Sequence, residues 1–330
     1  MPQILRTTLA QDQAQAVAGS PAWDLPVNPL SIILLTVKAL NNTTSLANYS
    51  SLRELLEMIT RATVSYKGAS IISGSLTDLA IMYGCLCRWM PAQGNRTEND
   101  GNARFITVPL CFGRRPYDPA ECFPATRRGD LQLQLETDIA TNGLDTLILQ
   151  IETVELLDAR PERFVKCTST NKITAAATPF EVELPIGNDI LGVLLRTDFY
   201  PAATDYLNQL GNVALKVDNV ESMYSVTNWE SLHGELYRKM GPWPQLPHTH
   251  AISSSGAAQE EATREQLESD SLLDGYAYMD LDPLGDGQYS LKTEGAARVN
   301  LVITSEVSDE ANMAAIVAEL VALPGANAAG

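Results

Sequence analysis

The sequence is poor in the residues from which catalytic sites are built. Histidine occurs three times in 330 residues, leaving few imidazoles for proton transfer or metal ligation. There is no GxSxG elbow, no GxxxxGK[ST] phosphate loop, no GxGxxG fingerprint and no HExxH helix. The chain is therefore expected not to be an enzyme, with no catalytic, cofactor-binding or metal-binding residues and no cofactor. Cysteine is scarce and odd in number: Cys85, Cys87, Cys111, Cys122 and Cys167, with no CxxC pair. Neither a disulfide framework nor a zinc ribbon follows, and reduced thiols are expected.

Positive charge is also short. Lysine and arginine total 23 against 40 acidic residues, a formal net charge of −17, and neither end carries a basic tail. So negative a surface repels phosphate, which argues against direct, sequence-specific binding of nucleic acid. No apolar run approaches the roughly 18 residues of a membrane helix. The first residues, MPQILRTTLAQDQAQAVAGS, lack the basic start and apolar stretch of a signal peptide, so synthesis in a cytoplasm is expected.

What the sequence does contain is alternation. In DLQLQLETDI, Leu131, Leu133 and Leu135 fall on one side, and Gln132, Gln134 and Glu136 on the other. Val213, Leu215 and Val217 share a face in VALKV, as do Val299, Leu301 and Ile303 in RVNLVITSEV. A period of two marks strands with one face on a core and one in water. Two segments have helical spacing instead. SLTDLAIMYGCLCRWM aligns Leu76, Leu79, Tyr83, Leu86 and Met90, with Ser75 and Asp78 resembling a capping box. TNWESLHGELYRKM aligns Trp229, Leu232, Leu236 and Met240, and Thr227 with Glu230 fits the box better. Each helix follows an expected hairpin, turning at Lys67-Gly68 and at Asp218-Asn219.

The order strand, tight turn, strand, capped helix thus occurs twice, about 152 positions apart. Upstream, LPVNPLSIILLTVKAL from Leu25 lies on LPIGNDILGVLLRTDF from Leu184, an offset of 159. Downstream, ITVPLCF from Ile106 matches YAYMDLD from Tyr276, and GDLQLQLETDI matches ARVNLVITSEV, both near 168. Four blocks in one order point to duplication of a whole domain, because the period is too long for a solenoid unit. A domain of roughly 150 residues, rich in short strands and carrying a helix in a connection, suits a jelly roll. Immunoglobulin-like repeats are shorter, about 100 residues.

The segments LPIGNDILGVLLRTDFY, NVALKVDNVESMYSVTNWESLHGELY, GYAYMDLDP and ARVNLVITSEV carry a resemblance of element order. In it the chain resembles the double jelly-roll major capsid proteins, which form the shells of adenoviruses and of many tailless icosahedral phages and archaeal viruses. The resemblance spans about residues 25 to 322. It implies an all-β fold of two tandem eight-stranded jelly-roll β-sandwich domains, with short helices in the connections. The expected layout is an N-terminal arm over 1–24, a first jelly roll over 25–160 and a second over 161–330, with a long loop at 241–274.

The resemblance further implies a structural role in the virion: a homotrimer whose six sandwiches imitate a hexamer and tile an icosahedral shell. Implied partners are neighbouring capsomers and minor capsid proteins, with the N-terminal arm facing an internal membrane or its proteins. The loop at 241–274 would form an outward tower. The competing reading is a carbohydrate-binding or spike-type β-sandwich adhesion protein, which would more often carry exposed aromatics along one strand face.

Several constellations have a structural and a functional reading. His233 lies on the apolar face of the second helix and is expected to be packed rather than reactive. His248 and His250 could chelate from a strand but sit in a proline-rich loop without companion ligands. Asp280, Asp282, Asp286 and Gly287 look superficially like a calcium loop but lack its spacing and terminal glutamate. Arg114, Arg115, Arg127 and Arg128 are the one basic concentration, expected to pair with carboxylates across an interface. Trp23, Trp89, Trp229 and Trp243 are expected in packing or in the trimer seam.

Overall fold

A computed structural model of the chain describes residues 3–16, 18–41, 52–88, 92–95, 103–138, 144–173, 179–197, 210–240, 272–273, 275–305 and 312–324. These fall into two compact units. One reaches to Phe164, and the other comprises Val165–Gly241 and Leu273–Ala322.

The first unit holds β1 (Gln3–Gln15), β2 (Ala18–Gly19), β3 (Ala22–Asp24), β4 (Leu30–Asn41), α1 (Leu52–Glu57), β5 (Ile59–Tyr66) and β6 (Ala69–Gly74). Then come α2 (Leu76–Cys87), β7 (Ala92–Asn95), β8 (Ala103–Cys111), β9 (Leu131–Asp138) and β10 (Leu144–Leu157). One sheet has the order β1-β10-β4-β8-β7; in the other, β6, β5 and β9 are consecutive, with β2 and β3 both pairing β9. The ladders are antiparallel throughout. The expected alternation in β9 is present: its burial runs strictly buried, exposed, buried from Leu131 onward. Each of Leu131, Leu133 and Leu135 is fully enclosed, contributing roughly 1.5–3 kcal/mol.

The second unit holds β11 (Arg163–Ile173), β12 (Pro179–Glu183), β13 (Asp189–Thr197), β14 (Leu210–Val217), β15 (Val220–Glu221) and β16 (Thr227–Asn228). They are followed by α3 (Trp229–Met240), β17 (Tyr276–Asp280), β18 (Val299–Ser305) and β19 (Asn312–Ala322). Its sheets run β17-β13-β19-β11 and β12-β18-β14-β15, with β16 also on β14. The core between them gathers Val193, Leu195, Val213, Leu215, Leu301 and Ile303, with Trp229 and Leu232 from α3.

The two units share one wiring. The sheet order β1-β10-β4-β8 in the first corresponds to β11-β19-β13-β17 in the second, and β9-β5-β6 to β18-β14-β15. With β2 and β3 taken as one interrupted strand, matching β12, each sandwich has eight principal strands among the described residues. Individual hydrogen bonds recur as well. Leu25 N donates to Leu131 O and Leu184 N to Val299 O, both at 2.9 Å. Leu30 and Phe123 exchange two backbone bonds, as do Ile190 and Leu291. Lys67 N reaches Asp130 O at 2.8 Å, and Asp218 N reaches Arg298 O at 2.9 Å. Both hairpin turns have two central residues at positive φ: Lys67 and Gly68, then Asp218 and Asn219. That conformation matches the twist of the flanking strands.

Three expectations need correction. Residues 1–24 were expected to be an N-terminal arm preceding the first jelly roll. Instead Gln3–Gln15 is a strand paired along β10, and β2 and β3 add to β9, so the first sandwich takes in these residues and does not begin at 25. Its side chains gave no periodic signal because, on this edge strand, only Ala10 is buried; the backbone ladder holds it. Second, α2 was expected to bury one stripe, but every residue from Leu76 to Cys85 is buried. Third, α3 begins at Trp229 and Thr227 pairs with Val213 in β16. The cap position thus falls on Asn228, and the Thr227–Glu230 box is displaced by sheet pairing. The weaker-looking box is the one formed, with Asp78 N donating to Ser75 Oγ at 3.1 Å. Met90 lies outside the described residues.

Candidate functional site

The four arginines separate. Arg115, Arg127 and Arg128 are exposed, whereas Arg114 is buried beside Glu121, itself 3% exposed. Arg114 grips this carboxylate through Nη2, through Nε at 3.1 and 3.2 Å, and through its backbone N at 3.2 Å. Arg163 Nε lies 2.8 Å from Glu121 Oε1, an ion pair without hydrogen-bond geometry. Burial alone would push the Glu121 carboxyl up. The hydrogen bonds and charge of Arg114, with the charge of Arg163, outweigh it and hold it below the usual range. For Arg114 the expected interface pairing is corrected: its carboxylate lies seven residues away in the same chain.

Gly113 makes this approach possible. A Cβ there would run into the Glu121 carbonyl oxygen and lie 3.0 Å from Glu121 Cβ. Next to it, Phe123 packs on Phe112, Tyr66 and Phe164 at centroid distances of 5.4, 5.5 and 5.0 Å. A fixed double ion pair beside an aromatic cluster staples the segment between β8 and β9; it leaves no open carboxylate for proton transfer.

The aspartate-rich segment at the end of β17 makes several bonds within the chain. Asp280 accepts from Lys239 Nζ of α3 at 2.5 Å, with Arg238 3.7 Å away. Asp282 Oδ1 accepts from Gly287 N and Asp286 Oδ1 from Gln288 N, both at 2.9 Å. Among the described residues no group of three or more His, Cys, Asp or Glu side chains is placed to hold a metal ion. Tyr224 joins the cluster: its hydroxyl donates to Glu235 Oε2 at 3.2 Å and accepts from Asp280 N at 3.1 Å. Burial first, then the Glu235 charge, pushes this phenol well above its ordinary pKa. Sequence reasoning missed Tyr224, Glu235 and Lys239, because nothing in their spacing announces that α3 lies along β17.

His233 Nδ1 is 2.6 Å from Tyr276 O, and its ring meets Tyr237 edge-on at 4.9 Å. Trp229 is buried at the start of α3 and Trp23 is half-buried in β3. His248, His250, Trp89, Trp243 and all of the 241–274 loop except Leu272 and Leu273 lie outside the described residues. In β15 and just after it, Val220, Met223 and Val226 are 69%, 53% and 62% exposed.

No protein-family model matches the chain, and no curated protein matches it in sequence. Solved structures do match in three dimensions. The STIV MCP, from Sulfolobus turreted icosahedral virus, superimposes with a TM-score of 0.67 at 14% identity, covering 97% of each chain. The PBCV-1 virus capsid gives 0.60 at 9% identity over 97% of this chain and 94% of the other. The major capsid protein of bacteriophage PM2 gives 0.56 at 14% identity over 97% and 100%. All are double jelly-roll capsid proteins. With two sandwiches of the same wiring and full-length superposition on these structures, the chain has the double jelly-roll fold.

Proposed function

We propose that this protein is the major capsid protein of an icosahedral virus, made in the host cytoplasm and built into the virion. The observation that carries the reading is the duplicated hydrogen-bond frame in a chain that superimposes end to end on capsid subunits of matching length. Duplication has a mechanical use in a shell. Two sandwiches per chain, taken three times, give six similar wedges around a ring, so a homotrimer fills a hexagonal position. The work of the chain is then assembly rather than catalysis. Its partners are two further copies, neighbouring capsomers and minor capsid proteins. The N-terminal residues face the interior, towards an internal membrane or its proteins.

Mass in solution combined with negative-stain imaging of the purified protein tests this. Trimers with a six-cornered outline are expected; a stable monomer at micromolar concentration overturns the proposal.

A further inference from the structure

All five cysteines are free thiols, and four are buried. Cys87, at the last turn of α2, is the one partly open to solvent. The helix stops there because Arg88 takes a left-handed conformation, φ 51°. Cys111 is the last residue of β8 and fully enclosed. Two contacts bring the helix end onto this strand end. Cys87 Sγ donates to Gly113 O at 3.4 Å, two residues beyond Cys111, and the Cys87 and Cys111 thiols lie near enough to interact. Cys85, two residues earlier on α2, projects elsewhere, as helical spacing requires.

We infer that Cys87 and Cys111 are a built dithiol that closes to a disulfide when the protein passes from a reducing to an oxidising medium. The oxidant is a small-molecule disulfide. Cys87 is the first to react, because it is the accessible thiol. The hydrogen bond with Cys87, and then burial, hold the Cys111 thiol well above its usual pKa. The Cys87 thiolate, its proton gone to solvent, attacks one sulfur of the small disulfide. That S–S bond breaks, one small thiol leaves, and a mixed disulfide remains on Cys87. Cys111 then loses its proton and attacks Cys87 Sγ, expelling the second small thiol. Two protein thiols have given up two electrons and two protons, and one small disulfide has become two thiols. The product ties the end of α2 to β8, closing the intervening loop covalently and narrowing the unfolded ensemble.

The test uses the full chain, purified reduced and then treated with oxidised glutathione. The free-thiol count should fall from the five of the reduced chain by two, the intact mass should drop by two hydrogens, and a non-reducing peptide map should join Cys87 to Cys111. The melting temperature should rise by several degrees and return on adding dithiothreitol. In Cys87→Ser the remaining thiols should survive oxidant and the melting temperature should not respond. Retention of all thiols, a glutathione adduct persisting on Cys87, or linkage of any other pair overturns the inference.

Discussion

Asn188 Nδ2 donates to Glu319 Oε2 at 2.8 Å, joining residues 131 positions apart. Glu319 is 1% exposed in β19, and its other oxygen accepts from Lys166 Nζ of β11 at 2.8 Å. The first unit repeats the arrangement. Asn28 Nδ2 donates to Glu155 Oε2 at 2.7 Å, and Thr7 Oγ1 of β1 donates to Glu155 Oε1 at 2.6 Å. In each sandwich, one buried carboxylate thereby ties the segment ahead of β4 or β13, and the strand β1 or β11, to β10 or β19. Burial of an acid is tolerated here because both oxygens are occupied.

Removing the asparagine should leave a buried carboxylate oxygen unsatisfied. Asn188→Ala and Asn28→Ala are each expected to cost about 1–3 kcal/mol. Being in separate units, the two losses should add in the double variant. Urea denaturation midpoints measure both; strong non-additivity would contradict the independence of the two frames.

The Arg114–Glu121 pair predicts acid sensitivity with a definite sign. The folded carboxyl is held below its usual value near 4.5, so the unfolded chain takes up the proton first. The stabilisation is complete above that usual value and fades as pH falls through the depressed folded one. In Glu121→Gln this part of the acid dependence should vanish. Arg114→Met, which leaves the buried acid with Arg163 alone, should cost about 3 kcal/mol at neutral pH. Melting curves between acid and neutral pH read both effects.

Two glycines should differ in how well they tolerate a side chain. Gly113→Ala drives a methyl into the Glu121 carbonyl and is expected to cost about 3 kcal/mol. Gly68, at φ +83° with open space around it, should accept asparagine at a cost of less than about 1 kcal/mol. Asn219 already occupies the corresponding turn position at φ 67°. Thermal unfolding of the two variants gives the comparison.

If three chains close into a ring, the apolar cluster at β15 is well suited to burial between copies. It is strongly exposed in the single chain, and β15 ends its sheet among the described residues. Val226→Lys should leave the far-ultraviolet spectrum unchanged and shift the trimer towards monomer. Unchanged sedimentation at micromolar protein would place the seam elsewhere.

The repeat was legible because it is written in local chemistry. Leucines at alternate positions of β9 need a one-sided core, and Lys67-Gly68 and Asp218-Asn219 need turns with positive φ. Neither depends on distant contacts, so element type and order could be read directly. The sequence reading missed β1, whose exposed Gln and Thr side chains carry no period. It also placed the second helix cap on Thr227, which β14 claims. In both cases sheet pairing, which the chain specifies only through distant residues, outweighed local preference.

Hence the amino-acid order alone determined strand alternation, the two turns, the acidic surface and the double occurrence of one unit, since each is a property of neighbouring side chains. Only the tertiary structure decided that Arg114 finds Glu121, that Asn28 and Asn188 find their glutamates, and that Cys87 meets Cys111. These pairings span from 7 to 131 positions. Long-range closure brings such groups together only after the sheets have paid the entropy of ordering the chain between them.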